Sequence, residues 1–311
     1  MASLNTNVGA MTALQTLTST NKNLATTQSR ISTGLSVGQA SDNAAYWSIA
    51  TTMRSDNKSL STVQDALGLG AGKVDVAYTG MNAAIEVVDE MKAKLVAALG
   101  ASDDDRGKIQ SELAELQNQL KSIGDSATFS GANWLSVDTS TGHAAAGTHD
   151  DVEVVSSFTR DSAGDISIGK INVAVDDIKL FDAADDSGIL DTEFTTTGGG
   201  AVTVSVHTLD ITAADIDEDD ITQMIDAADG ALASMTTAAS DLGAAKKRID
   251  MQNDFVSKLQ DAIDRGVGQL VDADMQEESA RLSALQVQQQ LGIQSLSIAN
   301  GNSQNILSLF R

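Results

Sequence analysis

The 311-residue chain contains no cysteine and no proline, and only 3% of its residues are aromatic. Without cysteine it can form neither a disulfide nor a thiolate-ligated metal site. Proline costs ~3 kcal/mol in a helix interior, so its absence permits very long helices. Because aromatic residues are scarce, Ala, Leu, Val, Ile and Met supply most of the apolar surface, which suits slender helices packed side by side.

Basic residues are also few, with 20 Lys and Arg against 43 Asp and Glu. Phosphate contacts require clusters of basic side chains, so a net charge of −23 argues against a nucleic-acid partner. The first residues lack the basic segment and apolar run of a secretory signal peptide, so we expect no cleaved leader. No run of 18 apolar residues occurs, and no membrane partner is expected.

Apolar residues recur at heptad spacing at both ends of the chain. Near the start, alternating steps of four and three predict a coiled-coil seam through Ala10, Leu14, Leu17, Asn21, Leu24, Gln28, Ile31 and Leu35. Near the end, two stripes share one predicted helix. The first is Ala284, Val287, Leu291, Gln294 and Ile298, and the second is Leu282, Leu285, Gln289, Gly292, Leu296 and Ala299. Two stripes on one helix predict more than one packing partner.

Longer seams run from Leu60 to Leu95 and from Ile221 to Leu270, with a shorter one from Ile109 to Ile123. We interpret these as intramolecular core, and we expect the early and late helices to lie antiparallel and share it. Four glycines in the first seam weaken the helix prediction at its centre, because each costs ~1 kcal/mol relative to Ala.

Residues 137–220 differ from the rest of the chain in sequence pattern and charge. Segments 151–158, 165–175 and 198–209 alternate β-branched with polar or small residues, which predicts strands. The span 138–220 holds 19 Asp and Glu against three Lys and Arg. The predicted fold class is therefore mainly α, with long antiparallel coiled-coil helices from both termini and a β-rich acidic insert in the middle.

The sequence has no HExxH metal-binding motif and no GxxxxGK[ST] phosphate-binding loop. We expect no enzymatic activity and no cofactor. The run from Asp215 to Asp220 starts like a calcium-binding loop but lacks Gly at its sixth position and Glu at its twelfth. A solvated acidic surface is the favoured interpretation; a calcium-dependent surface binder and a catalytic insert remain alternatives.

The two ends of the chain resemble bacterial flagellin. The similarity is carried by SLNTNVGAMTALQTL (3–17), by QSRISTGLSVGQASDNAAYWSIATTMRSD (28–56) and by the stretch from Leu270 to Phe310. The resemblance implies a structural subunit that polymerises into the helical filament of the flagellum. It also implies three parts: a terminal coiled coil forming the inner core (1–42 and 275–311), a helical spoke domain (43–136 and 221–274) and a variable outer domain (137–220).

The same resemblance implies type III export to an extracellular filament. It also implies an export chaperone, a filament cap, hook-associated proteins and sister flagellins as partners. A flagellin-like hook–filament junction protein, which would form only a short ring, is the alternative. In DEMKAKLV, Glu90 stands where the family commonly has Arg in the segment recognised by the animal innate-immune flagellin receptor. We expect this contact to be altered and signalling to be weak.

Isolated amphipathic helices of this length are marginal in water. We therefore expect both polar-rich end segments to fold mainly on assembly with other copies of the chain. The predicted polymerisation contacts are Leu14, Leu17, Leu24, Ile31, Leu35, Leu285, Val287, Leu291, Leu296 and Ile298.

Overall fold

The computed structural model describes residues 7–139 and 151–308, apart from 162, 185, 200, 214 and 215. The mainly α class is confirmed. The helices are α1 (Val8–Thr33), α2 (Ala44–Ala98), α3 (Asp103–Ser126), α4 (Glu218–Val271) and α5 (Met275–Ser308). Among the described residues, none of the helices combines the length and apolar character needed to span a bilayer.

The chain divides into two compact units, and the divisions fall inside α2 and α4. A terminal unit comprises Met1–Lys58 with Gln260–Arg311, and a central unit comprises Ser59–Leu259. These bounds differ from the three ranges predicted from the sequence, which remain a proposal about the assembled state.

The central unit is built around the predicted long seam. Every seam position from Leu60 to Leu95 is buried. Opposite it, α4 buries Ile221, Met235 and Leu242, among others. The ion pairs Lys92–Asp229 and Asp75–Lys246 join α2 and α4 in antiparallel order. The expectation that early and late helices share one antiparallel core is therefore met in this unit.

The glycines of α2 allow other segments to pack directly on the helix. A Cβ atom at Gly80 would lie 2.7 Å from Leu135 Cδ1, and one at Gly72 would lie 2.8 Å from the ring of Phe129. The helix therefore continues through its glycine-rich centre, because close packing there compensates for their low helix propensity.

Strands lie between α3 and α4. The two long ones, β4 (Val152–Arg160) and β5 (Ile166–Val173), pair antiparallel with an irregularity between Val155 and Ser157. The others have two residues each: β1 (Thr128–Phe129) with β2 (Ala132–Asn133), β3 (Ser136–Val137) with β6 (Phe181–Asp182), and β7 (Phe194–Thr195) with β8 (Thr203–Val204). All these pairs are antiparallel except β3–β6, which is parallel.

The first two predicted strand segments are confirmed by β4 and β5, but the third was wrong over most of its length. Among the described residues of 198–209, only Thr203–Val204 is a strand, and a 3-10 helix follows at Val206–Thr208. The Thr208 hydroxyl accepts a hydrogen bond from the Ser205 N–H at 2.9 Å. Such local side-chain bonds offer the backbone an alternative to a sheet ladder.

The terminal unit contains α1 and α5, the beginning of α2 and the end of α4. Its buried apolar cluster is small and consists of Val37, Ala50, Val267 and Val271, with Leu35, Met53, Ile263 and Leu270 packed against it. Both end segments are helices, and they pair with each other within one chain.

Candidate self-assembly surface

Helices α1 and α5 run antiparallel along their lengths. The Asn7 amide donates to the Ala299 carbonyl at 2.9 Å near one end, and the Gln289 amide donates to Asn21 Oδ1 at 2.8 Å near the middle. Near the other end, Arg30 pairs with Glu278 at 3.1 Å. This pairing decides which side chains of the two helices remain available.

One of the two predicted stripes of α5 faces α1. All of its members are buried or half-buried: Leu282, Leu285, Gln289, Gly292, Leu296 and Ala299. A Cβ atom at Gly292 would lie 3.3 Å from Leu17 Cδ1, so the helices approach closely there. We call these six residues the inner stripe.

The matching face of α1 differs from the predicted seam at every second position. Besides Arg30, the residues of α1 that are buried or half-buried are Ala10, Ala13, Leu17, Thr20, Leu24, Thr27 and Ile31. Ala13, Thr20 and Thr27 replace the predicted Leu14, Asn21 and Gln28, which are exposed. Short side chains at these positions allow close helix packing, and Thr20 and Thr27 are the only fully buried residues of α1.

The other stripe of α5 stays exposed. We call Ala284, Val287, Leu291, Gln294 and Ile298 the outer stripe; its Val, Leu and Ile side chains are 55–66% exposed. Ile293 beside it is 54% exposed and was missed by the prediction. The α1 helix covers one stripe and leaves the second without a partner among the described residues.

The N-terminal part of α1 adds a second exposed apolar face. Val8, Met11 and Leu14 are 54–69% exposed. A shallow groove beside them is lined by Met11, Leu14, Gln15, Thr18, Ser19 and Lys22. Val8 and Met11 were missed because the sequence prediction followed a single heptad phase. Their large apolar side chains outside that phase were the available signal.

The ten predicted contact residues therefore fall into two groups. Leu285 is buried, and five are half-buried within the chain: Leu17, Leu24, Ile31, Leu35 and Leu296. The remaining four are more than half exposed: Leu14, Val287, Leu291 and Ile298. The first group packs the chain on itself, and the second group is free to contact another molecule.

A charged cluster closes one end of the α1–α5 pair. Glu278 is buried, and its Oε1 accepts hydrogen bonds from Arg30 at 3.1 Å and from Arg281 at 3.3 Å. Its Oε2 is also buried and has no hydrogen-bond partner among the described residues. Removing Glu278 would leave two arginines without their shared partner, so the cluster fixes the register of the pair.

The carboxylates of the acidic run near the start of α4 accept hydrogen bonds from backbone N–H groups. Asp215 lies outside the described residues. Asp217 Oδ1 accepts the N–H groups of Asp219 and Asp220, and Asp220 Oδ1 accepts the N–H of Gly198 at 2.8 Å. Within the described ranges no group of three or more His, Asp or Glu side chains is arranged to hold a metal ion.

The sequence has three histidines, His143, His149 and His207. His143 and His149 lie outside the described residues. His207 is half-buried, with its ring edge-on to Phe181 at a centroid distance of 5.3 Å. Glu90 is exposed on α2.

A closely packed central unit together with a terminal helix pair that leaves apolar stripes uncovered defines a self-assembling structural protein. Comparison with known proteins gives the family. Residues 4–139 match the family model for the bacterial flagellin N-terminal helical region, and residues 225–310 match that for the C-terminal helical region. The chain belongs to the bacterial flagellin family. It is a structural subunit of the flagellar filament, and nothing favours a hook–filament junction protein.

Relatives support this assignment over the full length. Flagellin of Brucella melitensis biotype 1 is 50% identical over 311 residues, and flagellin A of Rhizobium meliloti is 43% identical over 404; each alignment covers 100% of both chains. Flagellin C of Rhizobium meliloti strain 1021 is 48% identical over 327 residues, again with full coverage. Neither family model covers residues 140–224, a range close to the predicted insert.

Proposed function

We propose that this flagellin polymerises through the outer stripe of α5 and the exposed face of α1 formed by Val8, Met11 and Leu14. The proposal rests on the difference between the two stripes of α5. One stripe is already covered by α1, whereas Val287, Leu291 and Ile298 remain exposed. Burying one such side chain against a neighbouring copy contributes ~1.5–3 kcal/mol.

Two different apolar faces suit a head-to-tail contact. When unlike surfaces join and the rotation does not close a ring, the product is an open helical polymer. The outer stripe on one copy and the α1 face on the next would provide such unlike surfaces. In the proposed assembly, residues 1–42 and 275–311 form the inner coiled coil, 43–136 and 221–274 the spoke, and 137–220 the outer domain.

The decisive experiment compares two equally exposed apolar residues. Leu291 lies in the outer stripe and Ile166 lies in β5 of the insert, and both are 56% exposed. We expect Leu291→Asp to remain monomeric, because a carboxylate would have to enter an apolar contact. We expect Ile166→Asp to form filaments like the parent protein.

Electron microscopy of negatively stained samples and sedimentation measure the outcome, and circular dichroism shows that both variants retain their helix. Normal filaments from Leu291→Asp would contradict the proposed surface. Equal loss of assembly in both variants would show that general solubility, and not the outer stripe, controls polymerisation.

We further propose that the chain acts outside the cell and has a mechanical role without catalysis. Proposed partners beyond other copies of itself are sister flagellins, an export chaperone, the filament cap and hook-associated proteins. Support comes from family membership and from the two matched terminal regions. Pull-down with the full-length protein, compared with Leu291→Asp, would separate partners that need the outer stripe from those that do not.

A further inference from the structure

Sulfur in this protein is present only as methionine, because the chain has nine Met and no Cys. Four thioethers are completely buried in the central unit: Met81, Met91, Met224 and Met235. Of the methionines that the structure describes, three are well exposed, with Met11 at 63%, Met251 at 57% and Met275 at 44%. Oxidation of methionine follows exposure, so a chemical oxidant should act first on these three.

Met11 differs from the other exposed methionines in its position. It lies on α1 between Val8 and Leu14, the other members of the proposed α1 assembly face. At about 100° per residue, it sits roughly a third of a turn from the side of α1 that faces α5. The groove beside it is open on the surface of the terminal unit. In the proposed filament its thioether would be buried against another copy.

We propose that Met11 is an oxidation site whose modification blocks assembly. The oxidant is a peroxide. One peroxide oxygen forms a bond with the Met11 sulfur while the O–O bond breaks; the sulfur loses two electrons, and hydrogen peroxide is reduced to water. The product is a sulfoxide, whose oxygen is a strong hydrogen-bond acceptor on a side chain that was apolar.

The inference rests on the proposed function, because it assumes that the α1 face becomes buried on assembly. A sulfoxide placed in an apolar contact loses hydrogen bonds to water without replacement, which weakens the contact. Methionine sulfoxide is also a substrate for dedicated reductases, so the block would be reversible. The same chemistry at a residue outside the contact would leave assembly unchanged.

Met251 provides the matched control within the chain. It is nearly as exposed as Met11 but lies on α4 in the central unit. Full-length parent protein, Met11→Leu and Met251→Leu would be depolymerised, treated with hydrogen peroxide and freed of it. Tandem mass spectrometry would then locate the sulfoxides. The polymerisation rate of each protein is compared with that of its own untreated sample.

We expect treated parent protein and treated Met251→Leu to lose roughly 5- to 140-fold in rate, which corresponds to a burial cost of about 1–3 kcal/mol. Met11→Leu should keep most of its own untreated rate. Methionine sulfoxide reductase should restore the parent protein.

Unchanged polymerisation of a parent sample oxidised at Met11 would overturn the proposal, as would equal losses in Met11→Leu and the parent. If this happens while Leu291→Asp stays monomeric, the oxidation site fails and the outer stripe of α5 stands as an assembly surface. Normal filaments from Leu291→Asp would instead show that the proposed assembly surface is wrong.

Discussion

Lys179 and Asp182 form a buried ion pair in the insert. The Lys179 ammonium lies 3.0 Å from Asp182 Oδ2, and both side chains are almost inaccessible to solvent. Further hydrogen bonds to the Asp182 carboxylate come from the Thr139 N–H and hydroxyl, the Ala184 N–H and the Ser187 hydroxyl. A buried carboxylate satisfied in this way ties together chain segments that are more than 40 residues apart.

Protonation of this pair is set by competition between burial and hydrogen bonding. Burial acts to raise the pKa of Asp182, but hydrogen bonds from Ala184, Lys179 and Thr139 outweigh it and hold the pKa far below its usual range. Burial acts to lower the pKa of Lys179, but the bonds to Asp182 and Asp176 raise it above its ordinary value. The pair therefore stabilises the fold when both groups are charged.

Asp182→Asn should lower the free energy of unfolding of the insert by about 3 kcal/mol at neutral pH, because it leaves a buried ammonium without its main partner. The lowered pKa of Asp182 means that its contribution is complete above about pH 5 and is lost as the pH falls through that pKa. Urea unfolding at pH 7 and in acid measures both values. Asp176→Asn, which changes the more exposed partner of Lys179, should cost less than about 1 kcal/mol; equal losses would contradict this account.

Glu90 gives a second prediction about a single residue. It is exposed on α2, in the segment where an altered receptor contact is expected. Because a carboxylate carries the opposite charge to an arginine, we expect weak signalling through the animal innate-immune flagellin receptor. Reporter cells treated with purified monomer measure the response, and Glu90→Arg should increase it. Strong stimulation by the unmodified protein at low dose would rule the idea out.

At the scale of helices, the sequence predicted buried positions best where the apolar heptad pattern is longest. The α2 seam repeats over 35 residues, and every predicted position from Leu60 to Leu95 is buried. The α1 face was misjudged because Leu14 is a stronger apolar signal than Ala13, although the smaller residue faces α5. The two stripes of α5 were identified correctly, but only the structure shows which one α1 covers.

Other features depend on contacts between residues far apart in the chain. From the sequence alone, Gly80 suggests a weak point in the helix. The structure shows that Leu135 packs directly against it. Nothing in the local sequence marks Glu278 as a residue that fixes the register of α1 and α5. That role follows only from its ion pair with Arg30 in the structure. Pairing of β3 with β6 joins segments about 45 residues apart, and no local pattern encodes it.

The α1–α5 pair should be locally unstable in a free molecule. The fully buried residues of α1 are threonines, and the apolar cluster of the terminal unit is small. Few buried apolar contacts mean a low free energy of local opening. In a dilute monomer we expect trypsin to cut first at Lys22, Arg30 and Arg281, whereas Lys92 and Lys246 in the central unit resist. Timed mass spectrometry of the fragments measures the order.

The same trypsin digestion of assembled filaments provides the comparison with the monomer. Cleavage at Lys22 should slow strongly after polymerisation, because the proposed contacts hold α1 in its helical form. Intact end segments in the dilute monomer under conditions that cleave the central unit would contradict the expectation that the ends fold mainly on assembly.

Across the whole molecule, charge opposes association while apolar stripes favour it. The net charge is −23, and residues 138–220 contribute 19 acidic and three basic side chains. In the proposed assembly, the inserts of neighbouring copies would lie close to one another. Repulsion between exposed charges is screened within ~10 Å at 0.1 M salt and within ~3 Å at 1 M. Assembly should therefore depend on ionic strength through the insert, although the proposed contacts lie in the terminal unit.

We expect the minimum protein concentration that supports filament growth to fall as sodium chloride rises from about 0.05 M to about 0.5 M. A triple variant, Asp151→Asn, Asp177→Asn and Glu193→Gln, removes three exposed charges of the insert and should show a weaker salt dependence. Sedimentation of filaments at each salt concentration measures the threshold for both proteins. Identical salt dependence in the two would show that insert charge does not oppose assembly, because only the electrostatic contribution differs between them.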